Sequence, residues 1–137
     1  MTLHLLKLAV GIDDIGHLHR VRAMRAAERG GDWVYTRNCP RRAAEVLDGG
    51  SIYWVIRGQI AVRQRVAGFR ANRDDAGRRY CLIDVEADLV PTLSRSCRPF
   101  QGWRYLPAAV APPDRTRVGE EPLPEQMLAE LRGLGLL

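Results

Sequence analysis

Five arginines and three aromatic residues carry the chemistry this chain offers most openly: Arg57, Arg63, Arg65, Arg98 and Arg104 with Tyr53, Trp54 and Trp103. A guanidinium binds phosphate or carboxylate through two parallel hydrogen bonds and stacks on aromatic rings, so this set suits an anionic ligand that carries a ring. Arginines interleaved with aromatics, as in RSCRPFQGWRYL (95–106), also match the chemistry of single-stranded nucleic-acid sites, although aromatics beside a last strand often serve to close a core. The expectation is a binding module for nucleic acid, RNA before DNA, or for a nucleotide-like anion. The alternatives are a small hydrolase with Asp48 or Glu45 as general base, and a structural or assembly protein without catalysis. No nucleophile–base pair is evident, so no catalytic residue is assigned.

Other reactive side chains are sparse. Cys39, Cys81 and Cys97 are odd in number and form no CxxC pair, which points to free thiols in a reducing, cytoplasmic setting. His17 and His19 are two apart in a helical segment, about 200° around the axis, and diverge instead of sharing a metal. No metal and no cofactor is expected.

The chain of 137 residues has a formal net charge of +5, with 46% hydrophobic and 27% charged residues. That composition is globular and fits one domain with a real core. All but one of the 21 basic residues are arginine, Lys7 being the lysine, a bias that codon usage in a GC-rich genome would also produce. Between Arg20 and Tyr80 there are 14 arginines against six acids, so the positive charge is concentrated mid-chain. The apolar opening, MTLHLLKLAV, is too short to span a bilayer, and no membrane association is expected.

The elements that must position these residues can be read in order. Leu3 to Val10 predicts a central strand, and Asp13 caps a helix that runs to about Arg29 and stops at Gly30-Gly31. Ile15, Leu18, Val21 and Met24 form its apolar set, while Arg22, Arg25 and Arg29 line up as a solvated face. Asp32 to Arg37 is a second strand. Pro40 opens a short helix through Leu47 that presents Ala43, Val46 and Leu47 to the core, and Gly49-Gly50 permits left-handed backbone at the re-entry.

From Ile52 the alternation of a strand puts Ile52, Trp54 and Ile56 on one face and Tyr53, Val55 and Arg57 on the other. Arg57-Gly58 predicts a tight hairpin. Ile60, Val62 and Val66 then share a face, with Gln59, Ala61, Arg63 and Arg65 opposite. Arg63 and Arg65 near Tyr53 would make an anion cradle, unless they simply keep an exposed strand polar. After a polar turn at Asn72 to Gly77, Tyr80 to Val85 is a buried strand and Asp88 to Leu93 a short one broken at Pro91.

The fold expected is α+β: residues 1–106 as a single domain, 107–123 as a proline-rich, extended arm, and 124–137 as a C-terminal helix. That helix, with its stripe of Met127, Leu128, Leu131 and Leu134, packs on the domain or on a partner, giving a monomer or a homodimer.

The segments LHLLKLAVG, RAAEVLDGGSIYWVIRGQIAVRQRV and RPFQGWRYL resemble an uncharacterised family of short, largely alphaproteobacterial proteins classed as a domain of unknown function. The resemblance runs to about Pro113 and implies no activity. More distantly, Pro40, Ala44, Leu47, Gly49 and Arg57 are similar to the outline of ASCH and other PUA-like domains. That likeness implies a small, partly open β-barrel with flanking helices and contact with RNA or modified bases. The lysine and glutamate of the usual ASCH motif are absent here; Ser51 follows the glycines, and Trp54 and Val55 stand where an acid would be expected.

Overall fold

The computed structural model describes residues 2–115. Six strands form one mixed sheet: β1 (Leu3–Leu8), β2 (Trp33–Thr36), β3 (Ser51–Ile56), β4 (Gln59–Arg73), β5 (Arg79–Ser96) and β6 (Trp103–Pro107). Their order across the sheet is β2-β5-β4-β3-β1-β6. Only the β1–β3 ladder is parallel; the rest are antiparallel. Among the described residues two α-helices, α1 (Ile15–Arg29) and α2 (Ala43–Leu47), accompany the sheet, an α+β arrangement with an open sheet.

The sheet curls without closing. Edge strands β2 and β6 do not pair, yet the Trp103 indole donates 2.8 Å to the Asn38 carbonyl and the Arg42 amide donates 3.1 Å to the Tyr105 hydroxyl. The segment after β2 therefore ties the two edges together through side chains.

Local chemistry explains each join. Asp14, one residue later than expected, caps α1 by accepting a 2.7 Å bond from the His17 amide. Gly30 ends the helix at φ 72°. Gly49 takes the left-handed conformation at φ 86°, whereas Gly50 is needed for a different reason: a Cβ there would lie 2.2 Å from the Leu3 carbonyl oxygen and 2.4 Å from that of Val46. That close approach seats α2 against β1. Val46 is fully buried, but Leu47, expected in the core, is exposed.

Arg57 and Gly58 both have positive φ, 51° and 77°, and form the hairpin turn between β3 and β4. Just beyond it the expected alternation slips. A bulge between Ile60 and Val62 turns Ile60 toward the face holding Tyr53 and Val55, while Ala61 and Val62 both join the larger core. The two strands expected over 80–93 are one continuous β5, with Pro91 accommodated at the Val62 bulge.

The larger core, under α1 and α2, contains Leu5, Leu18, Val46, Ile52, Trp54, Val62 and Ile83. The opposite face holds a smaller cluster of Tyr53, Val55, Ile60 and Leu106. Against this second face lies the described part of the proline-rich segment, residues 107–115. Ala108–Val110 forms a 3-10 turn, the Leu93 amide donates 2.9 Å to the Pro113 carbonyl, and Asp114 bridges to Thr92. The helix expected at 124–137 lies outside the described residues.

Cys39 and Cys81 form a disulfide, with Cα atoms 5.1 Å apart, so they are not the free thiols their spacing suggested. The β2–β5 ladder accounts for it, because Thr36 sits opposite Cys81 and the chain turns back at Cys39. Cys97 remains a thiol.

Candidate functional site

The sheet separates the eight expected site residues. Tyr53, Arg63 and Arg65 come together on the smaller-core face, around a shallow cavity of about 370 Å³ that also includes His4, Gly49 and Asp114. Their meeting follows from the β3–β4 register, where Tyr53 is opposite Arg63 and Ser51 opposite Arg65. Arg63, however, holds Asp114 through two bonds of 2.6 and 2.7 Å and also donates 3.2 Å to the Ser51 hydroxyl. That carboxylate raises the Arg63 pKa and neutralises much of the cradle. His4 accepts a bond from the Ser51 amide on Nδ1, and burial followed by the Arg63 charge pushes its pKa down.

Arg104 lies over the Phe100 ring at 5.0 Å. Arg57 occupies the exposed hairpin turn, and Arg98 is exposed in the segment before β6. Trp54 and Trp103 face the other side of the sheet, packed into the larger core.

On that helical side lies a polar network that the spacing of residues does not reveal. Arg22, expected on a solvated helix face, is only 5% exposed, and its guanidinium lies 3.4 Å from Asp32 Oδ1. Arg29 approaches the same oxygen at 3.7 Å. Asp32 Oδ2 accepts 3.0 Å from the Gln64 amide, which also donates 2.7 Å to the Glu86 carbonyl, and Gln64 Oε1 accepts 3.2 Å from the Trp54 indole. Gln64 is fully buried. A fully desolvated amide with every partner placed fixes its neighbours, so this network sets the plane of Trp54 and the height of α1. Asp32 immediately follows the Gly30-Gly31 stop, which is the one sequence signal that it could turn back under the helix.

Two cavities open beside the network. One, of about 250 Å³ between α1 and the sheet, is walled by Leu18, Val34, Tyr35 and Trp54 and receives Lys7, Arg22 and Arg25. The other, of about 530 Å³ at the seam between the sheet edges, is lined by Lys7, Thr36, Arg37, Asn38, Gln101, Gly102 and Trp103. Lys7 stands at the boundary of both. Among the described residues no acid lines either cavity. Burial, and then the Arg22 charge, hold the Lys7 ammonium below the usual lysine range.

A third hollow, of about 600 Å³, continues past Arg37 to Arg73, Arg78 and Arg79, with Tyr35 again in its wall. Its one acid, Asp74, is committed to the hairpin turn, where it accepts bonds from the Ala76 and Arg78 amides at 2.9 Å each. Tyr35 is 60% exposed and stacks on Tyr80 at 5.6 Å with the rings 24° apart. The three hollows thus adjoin through shared Lys7, Tyr35 and Arg37.

The hydrolytic candidates do not form a comparable site. Glu45 is partly exposed and held by Arg42, which donates 2.7 Å to Oε1 and pushes the carboxyl pKa down, the opposite of what a general base needs near neutral pH. Asp48 is the residue after α2, and its carbonyl accepts 2.7 Å from the Thr2 hydroxyl. Among the described residues no helix is long and apolar enough to cross a membrane.

The described residues form a curled, open α+β sheet with basic, aromatic-walled hollows beside it. The chain belongs to the family described as "protein of unknown function (DUF1489)", whose model matches residues 5–137. No curated protein and no solved structure matches it.

Proposed function

We propose that this protein binds single-stranded nucleic acid, RNA before DNA, along the groove formed by the three adjoining hollows on the helical face. One observation carries the reading: Lys7, Arg22, Arg25, Arg37, Arg73, Arg78 and Arg79 line a continuous path on which the single acid, Asp74, is tied into a turn. Such a path tracks a phosphate backbone. Trp54 and Trp103 wall the enclosed stretch. The Arg63/Arg65 cradle on the opposite face is the weaker part, because Asp114 already occupies Arg63. The curled sheet, with Asn38 and Arg42 tying its edges, also suits a partly open barrel of the PUA-like kind.

Fluorescence anisotropy with short single-stranded RNA, duplex RNA and DNA across a salt series tests this. Single-stranded RNA is expected to bind most tightly, with log affinity falling linearly with log salt. Substituting Arg37, Arg78 and Arg79 together by alanine should reduce the slope by about 0.7 for each phosphate no longer neutralised, whereas an Arg63→Ala/Arg65→Ala variant should change it less. Equal, weak binding of all three nucleic acids, or a slope unmoved by the triple substitution, overturns the reading.

A further inference from the structure

We propose that Lys7 is a reactive amine, which condenses with the carbonyl group of a small anionic ligand seated between α1 and the sheet. This goes beyond nucleic-acid binding and does not depend on it.

The first ground is chemical type. Wherever this chain needs positive charge alone it uses arginine, 20 times, and Lys7 is the single exception. Arginine supplies charge and hydrogen bonds at least as well, but it does not deprotonate in a protein. What a lysine adds is an amine that can lose its proton and act as a nucleophile.

The second ground is place. Lys7 is on β1, an interior strand, beside Trp54 in the β1–β3 ladder and Trp103 in the β1–β6 ladder. Its side chain reaches both the 250 Å³ cavity and the 530 Å³ seam cavity. Among the described residues it has no hydrogen-bond or ion-pair partner, and no carboxylate lines either cavity.

The charged groups that face it are all cations: Arg22 and Arg25 from α1, and Arg37 from the segment after β2. Asp32, the carboxylate of the adjacent network, is engaged by Arg22, Arg29 and Gln64. An ammonium in this setting loses hydration and gains only like-charge neighbours, and both effects favour its neutral, nucleophilic form.

The surroundings also select the ligand class. Arg25 and Arg37 can receive a phosphate or carboxylate, while Leu18, Val34 and Trp54 cover an apolar or ring-shaped body of the size the smaller cavity admits. In the step itself, the amine lone pair attacks the carbonyl carbon and the carbonyl electron pair moves to oxygen, which takes up a proton. The resulting carbinolamine expels that oxygen as water and becomes an imine protonated on nitrogen. One C=N bond replaces one C=O bond, with no change of oxidation state and no further reactant.

The presence of one lysine makes the test clean. The full-length protein is treated with pyridoxal 5′-phosphate, an aldehyde carrying a ring and a phosphate, then reduced with borohydride and analysed by intact mass and peptide mapping. The only other amine class is the chain's N-terminal α-amine. The expected result is one adduct on Lys7, formed several-fold faster in the native protein than in the same protein unfolded in urea. Its pH profile should have a midpoint below the ordinary lysine value of about 10.4.

A Lys7→Arg variant, whose retained fold is checked by its urea transition, should show no adduct at this position. Labelling at Lys7 no faster in the native than in the unfolded protein, or labelling confined to the α-amine, overturns the proposal. Either result leaves the salt-series measurement on nucleic acid unaffected, so the two readings fail separately.

Discussion

The two faces of the sheet treat arginine in opposite ways. On the helical face Arg22 is buried against Asp32, locked into a network with Gln64 and Trp54, while the cations around it line open cavities with no acid in them. On the other face Arg63 is partly exposed and is neutralised by Asp114, a residue that follows the last strand. Charge that is costly to bury serves architecture on the first face and leaves its neighbours available. The accessible pair on the second face is occupied. Accessibility of an arginine is therefore a poorer guide to a binding surface than the distribution of carboxylates around it.

Removing each carboxylate in turn is the strongest way to break this comparison. Asp32→Ala leaves Arg22 buried without its counter-charge and should lower stability by about 3–5 kcal/mol in urea unfolding at pH 7. Asp114→Ala should cost only about 1 kcal/mol, since Arg63 can turn to water. It should also raise the affinity of the second face for anions. Equal losses in the two variants would erase the distinction.

The next effect in size concerns the disulfide. A Cys39→Ser/Cys81→Ser variant should lose about 2–4 kcal/mol, read from the same unfolding curves, because the bond closes a loop across 42 positions. Its link to the comparison is local: Cys39 adjoins Arg37 and Asn38, so nucleic-acid affinity should fall with it, while the face holding Tyr53 and Arg63 should be unaffected.

The smallest effect is a pH slope that belongs to the second face. Burial and Arg63 lower the His4 pKa in the folded protein from 6.5, whereas the unfolded chain takes up its proton near that value. The unfolded state thus binds more protons, and stability should decline as pH falls through about 6.5 toward the folded pKa. His4→Gln should flatten that part of the profile in a series of urea melts from about pH 8 to about pH 5. An unchanged slope would mean that other groups set it.

How far the sequence is legible depends on range. The Arg57-Gly58 turn and the meeting of Tyr53 with Arg63 and Arg65 can be read, because a tight turn fixes register over a few residues. Ile60 defeats the reading, since one inserted residue at the bulge inverts the alternation and nothing in QIAV marks it. Arg22 defeats it for a different reason. Its helical position says which way it points, but its partner comes from Asp32, beyond a glycine stop, and Gln64 from a strand 32 positions further on. The Cys39–Cys81 bond and the Arg63–Asp114 pair join residues 42 and 51 apart, and only the assembled ladder brings them together. The groove is invisible for the same reason, because Lys7, Arg37 and Arg78 share a surface only after β1, β2 and the β4–β5 hairpin have been laid side by side.

The sheet order has a consequence for the timing of biosynthesis. β1 is made early but lies between β3 and β6, so its first neighbour emerges some 45 residues later and its second about 100 residues later, at Trp103. At ribosomal speeds of about 5–20 residues per second, β1 waits for roughly 5–20 s before both its edges are satisfied. The β3–β4–β5 meander can form in the interval, as each of its strands follows the last by a short turn. The nascent chain therefore holds an apolar strand, LHLLKL, in reserve, and the arrival of WRYLP is the event that ends its exposure.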